Sequence, residues 1–230
     1  MSETTRSQSR FATTVAQEFL VALSGFILVL FILGHLAGNF LLFRGPEAFN
    51  AYAHGMQSMG PLLWLARFIL LTSLLVHVVL TIRLKLLGRS ARGGEYAVKK
   101  YMGNTTLAKL TMLYTGIAIF LFLVLHLYDF TLRSQTGPAT EVGGVGLGVY
   151  GLVWNAFSDP VHALVYILAV WAVGLHFSNA VSSIWVTLGL LSESATARAN
   201  RAAQILGIFV ALGFSSIPVY VLAKTYLIGV

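Results

Sequence analysis

Residues 160–190 of the chain read PVHALVYILAVWAVGLHFSNAVSSIWVTLGL and form an apolar run without an acidic residue. An α-helix rises ~1.5 Å per residue and needs ~20 apolar residues to cross the ~30 Å hydrocarbon core of a bilayer. This run is long enough, and it lacks the period-two alternation that a membrane β-strand shows. It therefore predicts a transmembrane helix, whose backbone satisfies its own hydrogen bonds within lipid.

Four more runs of this kind occur along the chain. The predicted membrane-spanning helices cover residues 19–43, 61–87, 106–132, 160–190 and 202–228. Hydrophobic residues make up 57% of the chain and charged residues 10%, whereas soluble domains carry about 25% charged residues. The mean hydropathy is +0.80. We therefore expect an all-α integral membrane protein with five transmembrane helices, in which residues 1–230 form a single transmembrane domain.

The basic residues between the runs predict the orientation. Most of the 15 lysines and arginines lie on the side of the N-terminus, and the other side carries Arg44, Arg67, Arg133 and Lys224. Basic residues accumulate on the cytoplasmic side, so we expect a multi-pass protein of the cytoplasmic (inner) membrane, with its N-terminus in the cytoplasm and its C-terminus outside. Residues 1–18 lack the pattern of a cleaved signal peptide and are interpreted as a cytoplasmic leader.

Composition also excludes several kinds of chemistry. The chain contains no cysteine, which excludes within it iron–sulfur clusters held by thiolates, disulfides, Cys-based zinc sites and a cysteine nucleophile. Any redox role must rest on other ligands. The net charge of +7 comes from the short segments between the runs, where topology signals are expected, so we predict no nucleic-acid partner.

Four histidines lie inside the predicted spans, one in each of the first four: His35, His77, His126 and His176. Ionisable residues are costly in lipid, so each one is a candidate functional residue. At ~1.5 Å per residue, His35 and His126 lie roughly 9 to 12 Å below the outer boundary, whereas His77 and His176 lie roughly 24 Å below it. The histidines therefore form two level pairs.

Two level pairs from alternate helices of a four-helix bundle are what two bis-imidazole haems would require, offset by roughly 12 to 15 Å along the membrane normal. Gly34 and Gly38 near His35, and Gly174 near His176, would leave room for a flat macrocycle. A single intramembrane histidine is more often a buried hydrogen-bonding residue, and Gly34 with Gly38 is also a GxxxG helix-packing pattern. Four histidines at two depths favour the haem interpretation.

Three segments carry a resemblance to a known family. They are GHLAGNFLLFRGPEAFNAYAH over residues 34–54, LHLYDF over residues 125–130 and LHFSNAVSSIWVTLG over residues 175–189. With these segments the chain resembles the cytochrome b membrane-anchor subunit of the succinate:quinone oxidoreductase and quinol:fumarate reductase superfamily, in its single-subunit, five-helix, two-haem form. The resemblance extends over residues 19–228.

The resemblance implies ligands and partners. His35 and His126 would ligate the haem b that is distal to the catalytic subunits, and His77 and His176 the proximal haem b. A flavoprotein with FAD and an iron–sulfur protein would bind on the cytoplasmic side. As the membrane subunit of a succinate dehydrogenase, without complete activity of its own, the chain would pass electrons between the iron–sulfur protein and a lipid quinone, expected to be menaquinone.

Three alternatives stay open at this point. The chain could anchor a quinol:fumarate reductase that runs in reverse, or it could be the haem b anchor of another respiratory dehydrogenase. The non-redox alternative is a haem-free transporter that uses the histidines as a proton relay. The predicted helices show no break at the midplane and no inverted repeat, which disfavours the transporter.

Candidates for the quinone site cluster on the outer side. Arg67 is expected about 9 Å deep, level with the outer haem, where it could contact a haem propionate or quinone or snorkel as a lipid-facing residue. The remaining candidates are polar residues of the outer loop and of the third span: Glu47, His54, Gln57 and Asp129.

Asp129 has a second interpretation, because it could equally pair with Arg133 at i+4. His162 and His54 lie at the outer face and are weaker ligand candidates than the four histidines within the spans. A quinone site on the cytoplasmic side, near Trp185, Lys85 or residues 13–17, is the alternative location.

Overall fold

The computed structural model describes residues 13–90, 107–189 and 193–228, and these form seven α-helices. The helices are α1 (Thr14–Asn39), α2 (Pro46–Ser58), α3 (Pro61–Ser90), α4 (Leu107–Leu127), α5 (Gly148–Ser158), α6 (Pro160–Thr187) and α7 (Glu193–Ala223). A 3-10 turn (Phe40–Arg44) continues α1, and π-helical turns (Tyr128–Leu132 and Lys224–Ile228) continue α4 and α7. Within the described residues, α1, α3, α4, α6 and α7 are long and apolar enough to cross a membrane. The predicted all-α membrane fold with five spans is confirmed.

Two helices extend beyond the apolar runs that predicted them. α1 begins at Thr14, ahead of the predicted Phe19, because the Thr13 side chain accepts a hydrogen bond from the Ala16 amide and caps the helix. α7 begins at Glu193 rather than Ala202. Hydropathy marks only the part of a helix that lies in hydrocarbon, so polar first turns are missed. Residues 14–18 of the predicted leader therefore belong to α1, and residues 1–12 lie outside the described residues.

The connections between α1 and α3 and between α4 and α6 each contain a short helix outside the five predicted runs. Pro46 at the first position and Glu47 in the first turn favour α2, and the chain enters this helix through Gly45 at φ 93°. The second connection forms a short antiparallel hairpin, β1 (Glu141–Val142) with β2 (Val145–Gly146), before α5. Tertiary packing holds each short helix in place, and hydropathy does not mark either of them.

α2 and α5 pack on each other where α1 and α7 end and α6 begins. The Asn50 side chain joins them, since its Nδ2 donates to the Leu147 carbonyl (2.9 Å) and its Oδ1 accepts from the Tyr150 amide (3.0 Å). Buried aromatic side chains of α5 then pack against the ends of the long helices. We call this end of the bundle, covered by α2 and α5, the capped end.

α6 is the central helix, because it packs against α1, α4 and α7. Gly174 on α6 and Gly207 on α7 let the two backbones touch, and a Cβ at Gly174 would lie 2.5 Å from the Gly207 carbonyl oxygen. Tyr52 of α2 occupies the space beside Gly38, whereas nothing lies within 4 Å of a Cβ built on Gly34. The expectation that Gly38 and Gly174 leave room for a macrocycle is therefore wrong.

Candidate functional site

The first histidine pair lies near the capped end, between α1 and α4. The rings of His35 and His126 have centroids 5.7 Å apart and stand almost perpendicular, at 87°. Aromatic side chains surround them: Phe31 stacks on His35 at 5.3 Å, and Phe214 of α7 lies 5.7 Å from the same ring. Nδ1 of His126 is buried and has no hydrogen-bond partner within the described part of the chain.

The second pair lies deeper in the bundle, between α3 and α6. The His77 and His176 rings have centroids 6.4 Å apart, with an interplanar angle of 69°. Nδ1 of His77 lies 3.3 Å from the Val21 carbonyl oxygen on α1. Because a carbonyl oxygen only accepts, Nδ1 carries the proton and Nε2 keeps its lone pair.

Thr115 on α4 sets the tautomer of His176. Its hydroxyl hydrogen points to the Thr111 and Met112 carbonyl oxygens, each 3.1 Å away. The hydroxyl oxygen, 3.2 Å from Nδ1 of His176, is then left to accept a hydrogen bond from that ring. Nε2 of His176 therefore also keeps its lone pair, so both rings of the deeper pair present a free Nε2.

The two pairs are separated along the bundle axis. A Cβ built on Gly25 of α1 would lie 3.4 Å from the His77 ring, and a Cβ built on Gly116 of α4 would lie 3.6 Å from His176. Gly25 precedes His35 by the same number of residues as Gly116 precedes His126. Both helices thus separate the pairs by about 15 Å at ~1.5 Å per residue.

A polar cluster lies beside the first pair. Asp129 is 4% exposed, and its Oδ2 accepts hydrogen bonds from the Tyr166 hydroxyl (2.7 Å) and from Nε2 of His162 (3.0 Å). The structure brings His162 and Tyr166 to this carboxylate, and not Arg133, its alternative partner. The reason is the π-helical turn at Tyr128–Leu132, which removes Asp129 and Arg133 from the i, i+4 geometry of a regular α-helix.

The structure leaves the other candidates on the surface. Arg67 is exposed on α3, with its guanidinium 4.9 Å from the centre of the Trp64 ring. On α2, Glu47 and His54 are exposed, and Gln57 donates to the Gln135 side chain (2.9 Å). At the opposite end of the bundle, Trp185 and Lys85 are exposed and Gln17 is buried.

Comparison with known proteins identifies the family. The chain is 30% identical to the succinate dehydrogenase cytochrome b558 subunit of Bacillus subtilis (strain 168) over 185 residues, which cover 80% of this chain and 84% of that protein. The chain belongs to the family of succinate dehydrogenase cytochrome b subunits. No family model matches the chain. No solved structure matches it either.

Membership of the succinate dehydrogenase cytochrome b family implies haem b, and the histidine pairs fit it. Imidazole nitrogens bind first-row metal ions at about 2 Å, so two rings on opposite sides of one iron have centroids about 6 Å apart. The observed 5.7 and 6.4 Å agree with this value. Gly25 and Gly116 let the rings of the deeper pair lie against the backbones of α1 and α4. Nδ1 of the buried His126 has no hydrogen-bond partner within the described residues, so this ring is free to bind iron.

Several residues around these pairs were not found from the sequence. A signal existed for Gly25 and Gly116, since each precedes a histidine of its own helix at the same spacing. Thr115, Tyr166 and Phe214 gave no signal, because a single sequence does not reveal the rotation of one transmembrane helix against another. Phe214 further shows that α7, which carries no histidine, contributes to the surroundings of the first pair.

Proposed function

We propose that the chain is the di-haem membrane anchor of a succinate:menaquinone oxidoreductase. It passes electrons between an iron–sulfur subunit and a membrane quinone. The observation that carries this proposal is the presence of two histidine pairs, each with the spacing of a bis-imidazole site, separated by about 15 Å along the bundle. The relative's name, succinate dehydrogenase, favours succinate oxidation over fumarate reduction as the direction.

The four histidines would hold the iron of two haems, in two pairs. His35 and His126 hold the distal haem b, and His77 and His176 hold the proximal haem b. When bound, each haem accepts and releases one electron, at a potential set by its ligands and their hydrogen bonds. The Val21 carbonyl and the Thr115 hydroxyl hold the two proximal rings by Nδ1, which leaves each Nε2 available to bind iron.

The orientation follows from the distribution of basic residues. The end opposite the capped end faces the cytoplasm and binds a flavoprotein with FAD and an iron–sulfur protein. The capped end, together with the C-terminus, faces outside. The absence of cysteine in this chain means that the iron–sulfur clusters belong to a partner. The quinone binds at the capped end, near the distal haem.

A reduced-minus-oxidised visible spectrum of the purified complex, with pyridine-haemochrome quantitation, tests the proposal. We expect two b haems per anchor chain, both reduced by succinate. A colourless chain would support the transporter instead. Co-purification of a molybdenum or nickel protein rather than a flavoprotein would identify the anchor of another dehydrogenase.

Replacing Thr115 with Val tests the assignment of the proximal ligand. Val matches the shape of Thr but removes the Thr115 hydroxyl as an acceptor for the Nδ1–H of His176, which makes the imidazole a poorer electron donor to iron. We expect a redox titration to show one haem shifted to a more positive potential and the other unchanged, with haem affinity reduced about 10- to 100-fold.

Thr115→Ser is the matched control for this substitution. Ser retains the hydroxyl, so the wild-type potential and affinity should return. If Thr115→Val titrates like the wild type, Thr115 does not hold the proximal ligand.

A further inference from the structure

The cluster of Asp129, His162 and Tyr166 has no role in haem ligation. It joins the end of α4 to α6 through the two hydrogen bonds that Oδ2 of Asp129 accepts. A buried carboxylate is costly in a membrane protein and is a candidate functional group. Asp129 also lies in the π-helical turn at the end of α4.

One side of the cluster reaches the surface of the capped end. His162 has a side chain that is 26% exposed and lines a cavity of about 140 Å³ together with Arg133, Asn155, Ala156 and Asp159. The cavity is polar and large enough for several waters, which need partners of this kind. The imidazole of His162 lies between this cavity and the Asp129 carboxylate.

The other side of the cluster reaches the first histidine pair. The Tyr166 ring lies 6.2 Å from the His126 ring and 5.0 Å from Phe122, and its hydroxyl holds Asp129 from this side. The carboxylate therefore lies between a water-accessible histidine and the surroundings of the distal haem ligands. A hydrogen bond whose only role is to hold α4 and α6 together would not require that its donor, His162, lines a polar cavity.

We propose that Asp129 and His162 form a proton-transfer pair that connects the aqueous phase at the capped end with a quinone bound beside the distal histidines. This inference rests on the proposed function. Succinate oxidation at the flavoprotein gives fumarate, two electrons and two protons. These two protons stay on the side of the flavoprotein. The two electrons reach the quinone through this chain, and two protons from water at the capped end pass through His162 and Asp129 to the quinone oxygens, which gives the quinol.

Besides His126, which interacts electrostatically with Asp129, titratable groups of the described residues face this pair from the cavity and from α6. Arg133 and Asp159 line the cavity beside His162, and Tyr166 donates to Asp129 from α6. Because the imidazole and the carboxylate are hydrogen-bonded, a proton that enters at His162 moves to Asp129 without separating charge over a long distance.

The test uses the purified complex with Asp129→Asn or His162→Gln in the anchor chain. Gln can still donate to Asp129 but cannot relay a proton, so a loss in this variant is not a loss of packing. We expect both variants to keep two b haems and full succinate oxidation with a soluble dye, and to lose quinone reduction about 10²- to 10⁴-fold, as for removal of a general acid–base group. Glu141→Gln, which changes an exposed acid of the same end, should leave quinone reduction unchanged.

Two further readouts do not depend on the rate alone. His162→Ala opens a space toward the polar cavity, so added imidazole should restore quinone reduction in this variant but not in Asp129→Asn. In a redox-induced infrared difference spectrum, a carboxyl C=O band of the wild-type complex should be missing in Asp129→Asn.

Quinone reduction within twofold of the wild type in His162→Gln and Asp129→Asn would overturn the proton-transfer role. A loss in His162→Ala that imidazole does not relieve would also contradict it. Failure of the proposed function looks different, because the wild-type complex itself would then lack haem that succinate reduces.

Discussion

Replacing His35 with Ala is expected to remove one of two b haems and to reduce quinone reduction by succinate to background. The haem between His35 and His126 would lose one of its two axial ligands, and the surroundings, largely aromatic, offer no substitute. Electrons would then stop at the proximal haem. Pyridine-haemochrome quantitation measures the haem content, and dye-linked succinate oxidation shows that the catalytic partners are intact.

Double substitutions test the pairing itself. The proposal assigns His35 and His126 to one haem, so His35→Ala with His126→Ala should lose no more haem than His35→Ala alone. His35→Ala with His77→Ala removes a ligand from each site and should lose both haems. His54→Ala is the control, because His54 is exposed on α2 and should keep both haems. The opposite pattern in the two double variants would mean that the pairs are wrongly assigned.

Replacing Gly174 with Val is expected to destabilise the bundle and to lower the amount of assembled complex. A Cβ at this position would lie 2.5 Å from the Gly207 carbonyl oxygen and 2.8 Å from the Ala211 Cβ. The first of these atoms is backbone, so α7 must move away from α6. Overpacking of this kind costs about 3 kcal/mol. Because α6 also carries His176, the displacement should release the proximal haem at a lower temperature.

Thermal loss of haem absorbance in detergent measures this effect. Gly174→Ala introduces the same Cβ without the two methyl groups and should lie between the wild type and Gly174→Val. Gly55→Ala is the control, since nothing lies within 4 Å of a Cβ at that glycine. A Gly174→Val complex with the melting temperature of the wild type would show that α6 and α7 are not in close contact.

Much of the membrane fold was predictable from the sequence. The start of α3 at Pro61 and of α6 at Pro160 coincides with the predicted starts, because proline at a first helical position and a following apolar run are both local signals. The short helices α2 and α5 were missed because neither is long enough to give a hydropathy signal. They are held by contacts such as the one between Asn50 and Leu147, which are distant in the sequence.

The candidate site, like the fold, was predictable from the sequence only in part. His35 falls opposite His126 and His77 opposite His176 in the structure, as their depths predict, since depth along a helix depends only on residue number and rise. The partners of Asp129 were not predictable, because His162 and Tyr166 lie on another helix. The space beside Gly174 was misjudged for the same reason, since α7 fills it.

The number of spans and the depth of each histidine follow from one-dimensional quantities, namely the length of an apolar run and the position of a residue along it, so both were predictable without a structure. The rotation of each helix about its axis, and therefore the set of side chains that meet, became visible only in the packed bundle. That rotation brings Thr115 to His176 and Asp129 to His162. It depends on the packing of side chains from different helices, which no single run of sequence contains.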